Sequence, residues 1–124
     1  MSAALPEIAL LPGTCVIAAL HLDPRAAGPW NAFRAWLARL EAPALLVLGD
    51  LFEYWIGSLQ AREPEYVALL DELRARAAHG TELHFLHGNR DFLLGRDFER
   101  AVGGRVHARG LVGRTSAGTR VLFL

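Results

Sequence analysis

The sequence predicts an α/β fold in which β-α-β units build a mainly parallel or mixed sheet flanked by helices. Three observations carry that expectation. Short, continuous apolar runs alternate with amphipathic segments of helical period; each run ends in a glycine or polar residue; and the last strands follow one another with no helix between them. With 124 residues, the chain falls in the range of one domain, and 52% hydrophobic against 21% charged residues marks a globular composition.

The first run, TCVIAALHL (14–22), is bounded by Gly13 and Pro24 and has the pattern of a strand buried on both faces. Residues 29–41 place Trp30, Phe33, Trp36, Leu37 and Leu40 at helical spacing with Arg34 and Arg39 opposite, an amphipathic helix that Pro43 ends. The run ALLVLGDLF (44–52) is a second buried strand leading into Gly49-Asp50. The helical signal returns over 64–78 through Tyr66, Leu70, Leu73 and Ala77, and His79-Gly80 closes it as a C-cap before the strand TELHFLHG (81–88). A short helix near 97–102 follows, then GGRVHARGL and GTRVLFL joined through a Ser116-Ala117-Gly118 turn as an antiparallel addition. Residues 1–13, broken by Pro6, Pro12 and Gly13, read as a flexible leader. RVLFL is an apolar strand at Leu124, so the sequence reads as the N-terminal part of one domain that is truncated.

Composition narrows the function classes. Acidic and basic residues balance at 13 each, so no global charge points to nucleic acid. Arginine supplies the positive charge, which favours fork-shaped recognition of phosphate or carboxylate. The lone Cys15 has no disulfide or zinc-clamp partner and fits a reducing cytoplasm. No apolar run approaches the ~20 residues that cross a bilayer, and the N-terminus lacks the positive region of a signal peptide.

Open α/β sheets bind ligands beyond the carboxyl ends of their strands, and the polar residues of this chain gather there. His21 ends the first strand, Asp50 the second, and Asn89, Arg90 and Asp91 follow the third. An imidazole, a carboxylate and an amide oxygen form a mixed donor set suited to Mn²⁺, Fe²⁺ or Zn²⁺. Asp50 is the candidate bridge of a two-metal site, and Arg90 could hold a phosphate bidentately. Each residue also has a structural reading: a strand-end histidine is most often a hydrogen-bonded framework residue, Gly-Asp a turn, and Gly-Asn-Arg-Asp a turn and helix cap. His79, His84 and His107 read as structural, and His87 as support beside the site rather than a ligand.

GDLFEYWIG (49–57) and HGNRDFLLG (87–95), following a strand that ends in LHL, resemble the UDP-2,3-diacylglucosamine diphosphatase family of lipid A biosynthesis, a branch of the calcineurin-like metallophosphoesterases. General members of that superfamily carry histidine after the Gly-Asn pair, where this branch and this chain have arginine, Arg90. The resemblance implies the metallophosphoesterase fold and cleavage of the UDP-sugar pyrophosphate to UMP and 2,3-diacylglucosamine 1-phosphate by a water activated on a Mn²⁺ pair. It implies that His21 ligates the first metal, Asp50 bridges both, Asn89 ligates the second, and Asn89 and Arg90 meet the substrate phosphates. It further implies a peripheral location on the cytoplasmic face of the inner membrane. Two departures stand out. The family opens its first motif with Ser-Asp-x-His, whereas this chain reads Ala18-Ala19-Leu20-His21, so Ala19 occupies the position of a lost carboxylate ligand. The family's later His-Gly-Asp motif, lipid-binding helical cap and final His-x-His are absent from these residues, and an inactive remnant or another metal-dependent phosphoesterase or nucleotide hydrolase are the alternatives.

Overall fold

The computed structural model describes residues 4–88 and 94–124. Among the described residues, regular elements appear in the order β1 (Glu7–Leu10), β2 (Cys15–Ile17), α1 (Ala27–Ala38), β3 (Ala44–Val47), α2 (Pro64–Ala78), β4 (Glu82–Leu86), α3 (Arg96–Val102), β5 (Arg105–His107), β6 (Leu111–Thr115) and β7 (Arg120–Phe123), with a 3-10 turn over Ser58–Arg62 ahead of α2. The expected α/β alternation is what folds.

Two sheets form rather than one. β2, β3, β4 and β5 pair in that order, all parallel, while β1, β6 and β7 make a separate three-stranded sheet. The residues expected as a flexible leader therefore contain a strand: Glu7 to Leu10 run parallel to β6, with Ile8 opposite Gly113. GGRVHARGL is likewise two strands in two sheets, divided at Gly110, whose φ of +123° turns the chain. The antiparallel pair is real but belongs to the second sheet, where β6 and β7 meet around the Ser116-Ala117-Gly118 turn and Gly118 N–H donates to Thr115 O at 2.9 Å.

The period-two geometry of β3 explains the layering, because successive side chains of a strand point to opposite faces. Leu45 and Val47 join Leu83 and Phe85 in the cluster that also takes in Trp30, Phe33 and Leu37 of α1 and Tyr66, Leu69, Leu70 and Leu73 of α2. Ala44 and Leu46 face the other way, joining Leu86 and Leu111 against Ile8, Leu10 and Phe123 of the second sheet. All four β3 residues are buried, as a strand covered on both faces must be. Each buried leucine contributes roughly 1.5–3 kcal/mol over an exposed one, so β3 anchors both layers. Pro64 occupies the first helical position of α2, where its missing N–H costs nothing, and Gly80 at φ +104° ends the same helix.

The two apolar runs expected to be strands through 22 and 52 stop earlier, at Ile17 and Val47. Left-handed residues interrupt both ladders, and the runs continue side by side as loops tied by backbone hydrogen bonds.

Candidate functional site

Those loops form the rim at the carboxyl ends of β2, β3 and β4. Ile17 O accepts from Leu48 N at 2.8 Å, Gly49 O from Ala19 N at 3.1 Å, Asp50 O from His21 N at 2.9 Å, and Leu51 O from Leu22 N at 2.8 Å. Leu22 and Phe52 then form a single parallel bridge, and Leu22 O accepts from Glu53 N at 2.8 Å. The sequence-expected residues His21 and Asp50 are thus brought into adjacent, hydrogen-bonded loops, with Ala19 on the same strand extension.

The backbone here is unusual. Among the described residues, the non-glycine positions with positive φ are Ala19 at 54°, His21 at 48° and Asp50 at 50°. L-residues avoid this region because Cβ crowds the carbonyl oxygen, at about 1–2 kcal/mol per residue. Gly49 next to Asp50 has φ +103°, and a Cβ there would stand 3.0 Å from His87 O, so the β3 and β4 loops pass in direct contact. A Cβ on Gly88 would run into both the carboxylate and the backbone nitrogen of Asp50. Only glycine lets the β4 loop lie against that aspartate.

His21 is partly exposed, yet its Nδ1 is buried and has no hydrogen-bond partner among the described residues. The Glu53 carboxylate lies 3.7 Å from that nitrogen. Asp23, the other carboxylate of this loop, is held by Arg25: the backbone N–H donates to it at 2.9 Å and the guanidinium at 2.8 and 3.1 Å. These hydrogen bonds keep the Asp23 carboxyl below the usual range, as a stable turn anion beside the site. His87 donates Nε2–H to Leu94 O at 2.6 Å. Asn89 and Arg90, expected as metal and phosphate ligands, lie outside the described residues, as does Asp91. Glu53 was not singled out by the sequence reading; its position three residues after Asp50, inside GDLFEYW, was the available signal.

A second titratable cluster sits away from the rim. His84 and His107 stack with ring centroids 5.2 Å apart, and a hydrogen bond of 2.9 Å joins His84 Nδ1 to His107 Nε2. Both are buried, and Glu82 lies 3.3 Å from His84 Nε2. Burial holds both imidazoles below the ordinary histidine pKa, with Arg105 reinforcing the shift and Glu82 and Glu99 opposing it.

The donor set can be weighed against a metal pair. His21 and Asp50 supply one nitrogen and one carboxylate, Ala19 supplies neither, and no group of three His, Cys, Asp or Glu that could hold a metal ion exists among the described residues. The described residues alone therefore do not fit a two-metal centre.

No family model matches the chain. Curated relatives do. A UDP-2,3-diacylglucosamine hydrolase of Stenotrophomonas maltophilia (strain K279a) is 43% identical over 96 residues, covering 75% of this chain and 38% of the relative. One from Yersinia enterocolitica is 42% identical over 87 residues, 68% of this chain and 36% of its own. A third, from Nitrosococcus oceani, reaches 53% over 66 residues, 51% of this chain and 26% of its own. The chain thus spans between a quarter and two fifths of these relatives. Among solved structures, the crystal structure of Pseudomonas putida nuclease MPE matches with a TM-score of 0.54 at 23% identity, over 75% of this chain and 46% of that one. That likeness is one of fold.

Proposed function

We propose that the chain belongs to the UDP-2,3-diacylglucosamine hydrolase family, members of which it matches at 42–43% identity over 68–75% of its length, and that it serves hydrolysis of the pyrophosphate of UDP-2,3-diacylglucosamine to UMP and 2,3-diacylglucosamine 1-phosphate. The observation that carries the proposal is the strained rim: Ala19, His21 and Asp50 all hold left-handed backbone in adjacent loops, with Gly88 packed on Asp50. Such conformations persist only where the surroundings over-determine them, and they gather at functional sites.

On this reading the chain is the N-terminal part of a metallophosphoesterase domain that uses divalent metal, with Mn²⁺ as the ion. His21, Asp50 and Asn89 would hold the metals, and Asn89 and Arg90 would bind the substrate phosphates. The donors still needed come from outside the described set. The substrate carries two acyl chains, which supports action as a peripheral protein on the cytoplasmic face of the inner membrane. None of the described helices is long and apolar enough to cross a membrane.

Ala19 favours a second reading, a non-catalytic scaffold that keeps the fold, because a methyl group replaces the carboxylate of the family motif. One experiment separates the two. The chain and its Ala19→Asp and Asp50→Asn variants are incubated with UDP-2,3-diacylglucosamine and Mn²⁺, and UMP is measured. UMP release that rises in Ala19→Asp and vanishes in Asp50→Asn supports the hydrolase. No release from the parent or from Ala19→Asp supports the scaffold.

A further inference from the structure

We infer that Glu53 is a positioning residue: it holds the single proton of neutral His21 on Nδ1 and so presents the Nε2 lone pair at the rim. The inference rests on the proposed function only in reading His21 as a ligating side chain. Its basis is the asymmetry of the ring. The His21 side chain is 38% exposed while Nδ1 is buried, so the exposure lies on the rest of the ring, where Nε2 is the other nitrogen. Among the described residues the buried nitrogen has no hydrogen-bond partner, and Glu53 Oε2 lies 3.7 Å from it.

Electrostatics chooses between the tautomers. With the proton on Nε2, Nδ1 would aim a lone pair toward a carboxylate, which only accepts, and a buried acceptor would face an anion. With the proton on Nδ1, a movement of roughly half an ångström or more brings the N–H into hydrogen-bonding range of Glu53. The backbone favours that approach. His21 N–H donates to Asp50 O and Glu53 N–H to Leu22 O, so the two residues stand on neighbouring loops fixed in register by the Leu22–Phe52 bridge. A carboxylate behind a histidine fixes ring orientation and raises the basicity of the outward nitrogen.

The tautomer is read directly in ¹⁵N-histidine-labelled protein by long-range ¹H–¹⁵N correlation of the imidazoles above pH 8, with neither substrate nor metal. The parent is expected to hold His21 predominantly as the Nδ1–H form. Glu53→Gln, whose amide oxygen still accepts, keeps that form. Glu53→Met, of similar length but with no strong acceptor, moves the majority population to Nε2–H, the form favoured by free imidazole side chains. Unchanged His84 and His107 signals report that each variant is folded. A parent already in the Nε2–H form overturns the inference by itself, whether or not the Met variant folds. So does a Met variant that is folded and unchanged. Loss of UMP release would leave the tautomer reading intact, so the two failures are distinguishable.

Discussion

The interior of β3 and the loop that leaves it differ by two residues in sequence and by everything in physical chemistry. Leu45, Leu46 and Val47 are essentially inaccessible, lie in ordinary strand geometry, and owe their places to apolar burial on two faces. Gly49 and Asp50 have positive φ, and the loop carries carboxylates at Asp50 and Glu53 beside a histidine. The first region is held by what its side chains avoid; the second is held against backbone preference by hydrogen bonds to the β2 loop and by the close packing of Gly88 on Asp50. The contrast shows where stability and chemistry reside, and they should respond separately to substitution.

The sharpest way to break that separation is Leu45→Ala. Leu45 is wholly buried in the cluster shared with α1 and α2, so truncation removes apolar contact and leaves a cavity. A loss of about 2–5 kcal/mol is expected in urea unfolding, with little change in the His21 tautomer. A folded variant with an altered His21 signal would mean that the rim is not buffered from the core.

The buried His84–His107 pair tests the same comparison through pH. Both groups have folded-state pKa values below the ordinary 6.5, so the unfolded chain binds protons first as pH falls. Their contribution is fully present above about pH 6.5 and is lost as pH falls from there through the depressed folded values. The urea midpoint should drop between pH 8 and pH 5, and the drop should shrink in the double variant His84→Leu/His107→Leu. Glu82, Glu99 and Arg105 face the pair and remain in both proteins. An equal drop would place the acid sensitivity elsewhere, in the rim or on the surface.

These regions were not equally legible in the sequence. The span 64–78 of α2 was readable to its ends because Pro64 and Gly80 punctuate a clear helical period. The ends of β2 and β3 were not, because the residues that break them are Ala19, His21 and Asp50, whose chemistry gives no notice of left-handed backbone. β1 escaped because four residues between prolines find their partner in β6, about a hundred residues later, and no local pattern records that pairing. At the rim, strand ends and topology sufficed to bring His21 and Asp50 together, but Glu53 required the loop register. The His84–His107 pair required the β4–β5 register as well: each reads as an ordinary strand residue until Leu86 is set opposite His107.

The smallest expected effect bears most directly on what the rim was shaped for. Ala19 holds φ 54° with no side-chain polar group to offset it, whereas asparagine and aspartate tolerate this region better than other non-glycine residues. Ala19→Asn should therefore raise metal-free stability by up to about 1 kcal/mol, read as a higher urea midpoint. Ala19→Asp tests the backbone and the charge together, since its carboxylate would stand on the loop beside Gly49 and near His21. Calorimetric titration should give tighter Mn²⁺ binding for Ala19→Asp than for the parent, and no such gain for Ala19→Asn. Equal Mn²⁺ affinity in all three would detach the left-handed backbone from metal binding, leaving the rim as a tightly tied loop junction. A gain confined to aspartate would mean that the fold has kept the shape of a metal site at a position where the side chain no longer supplies the ligand.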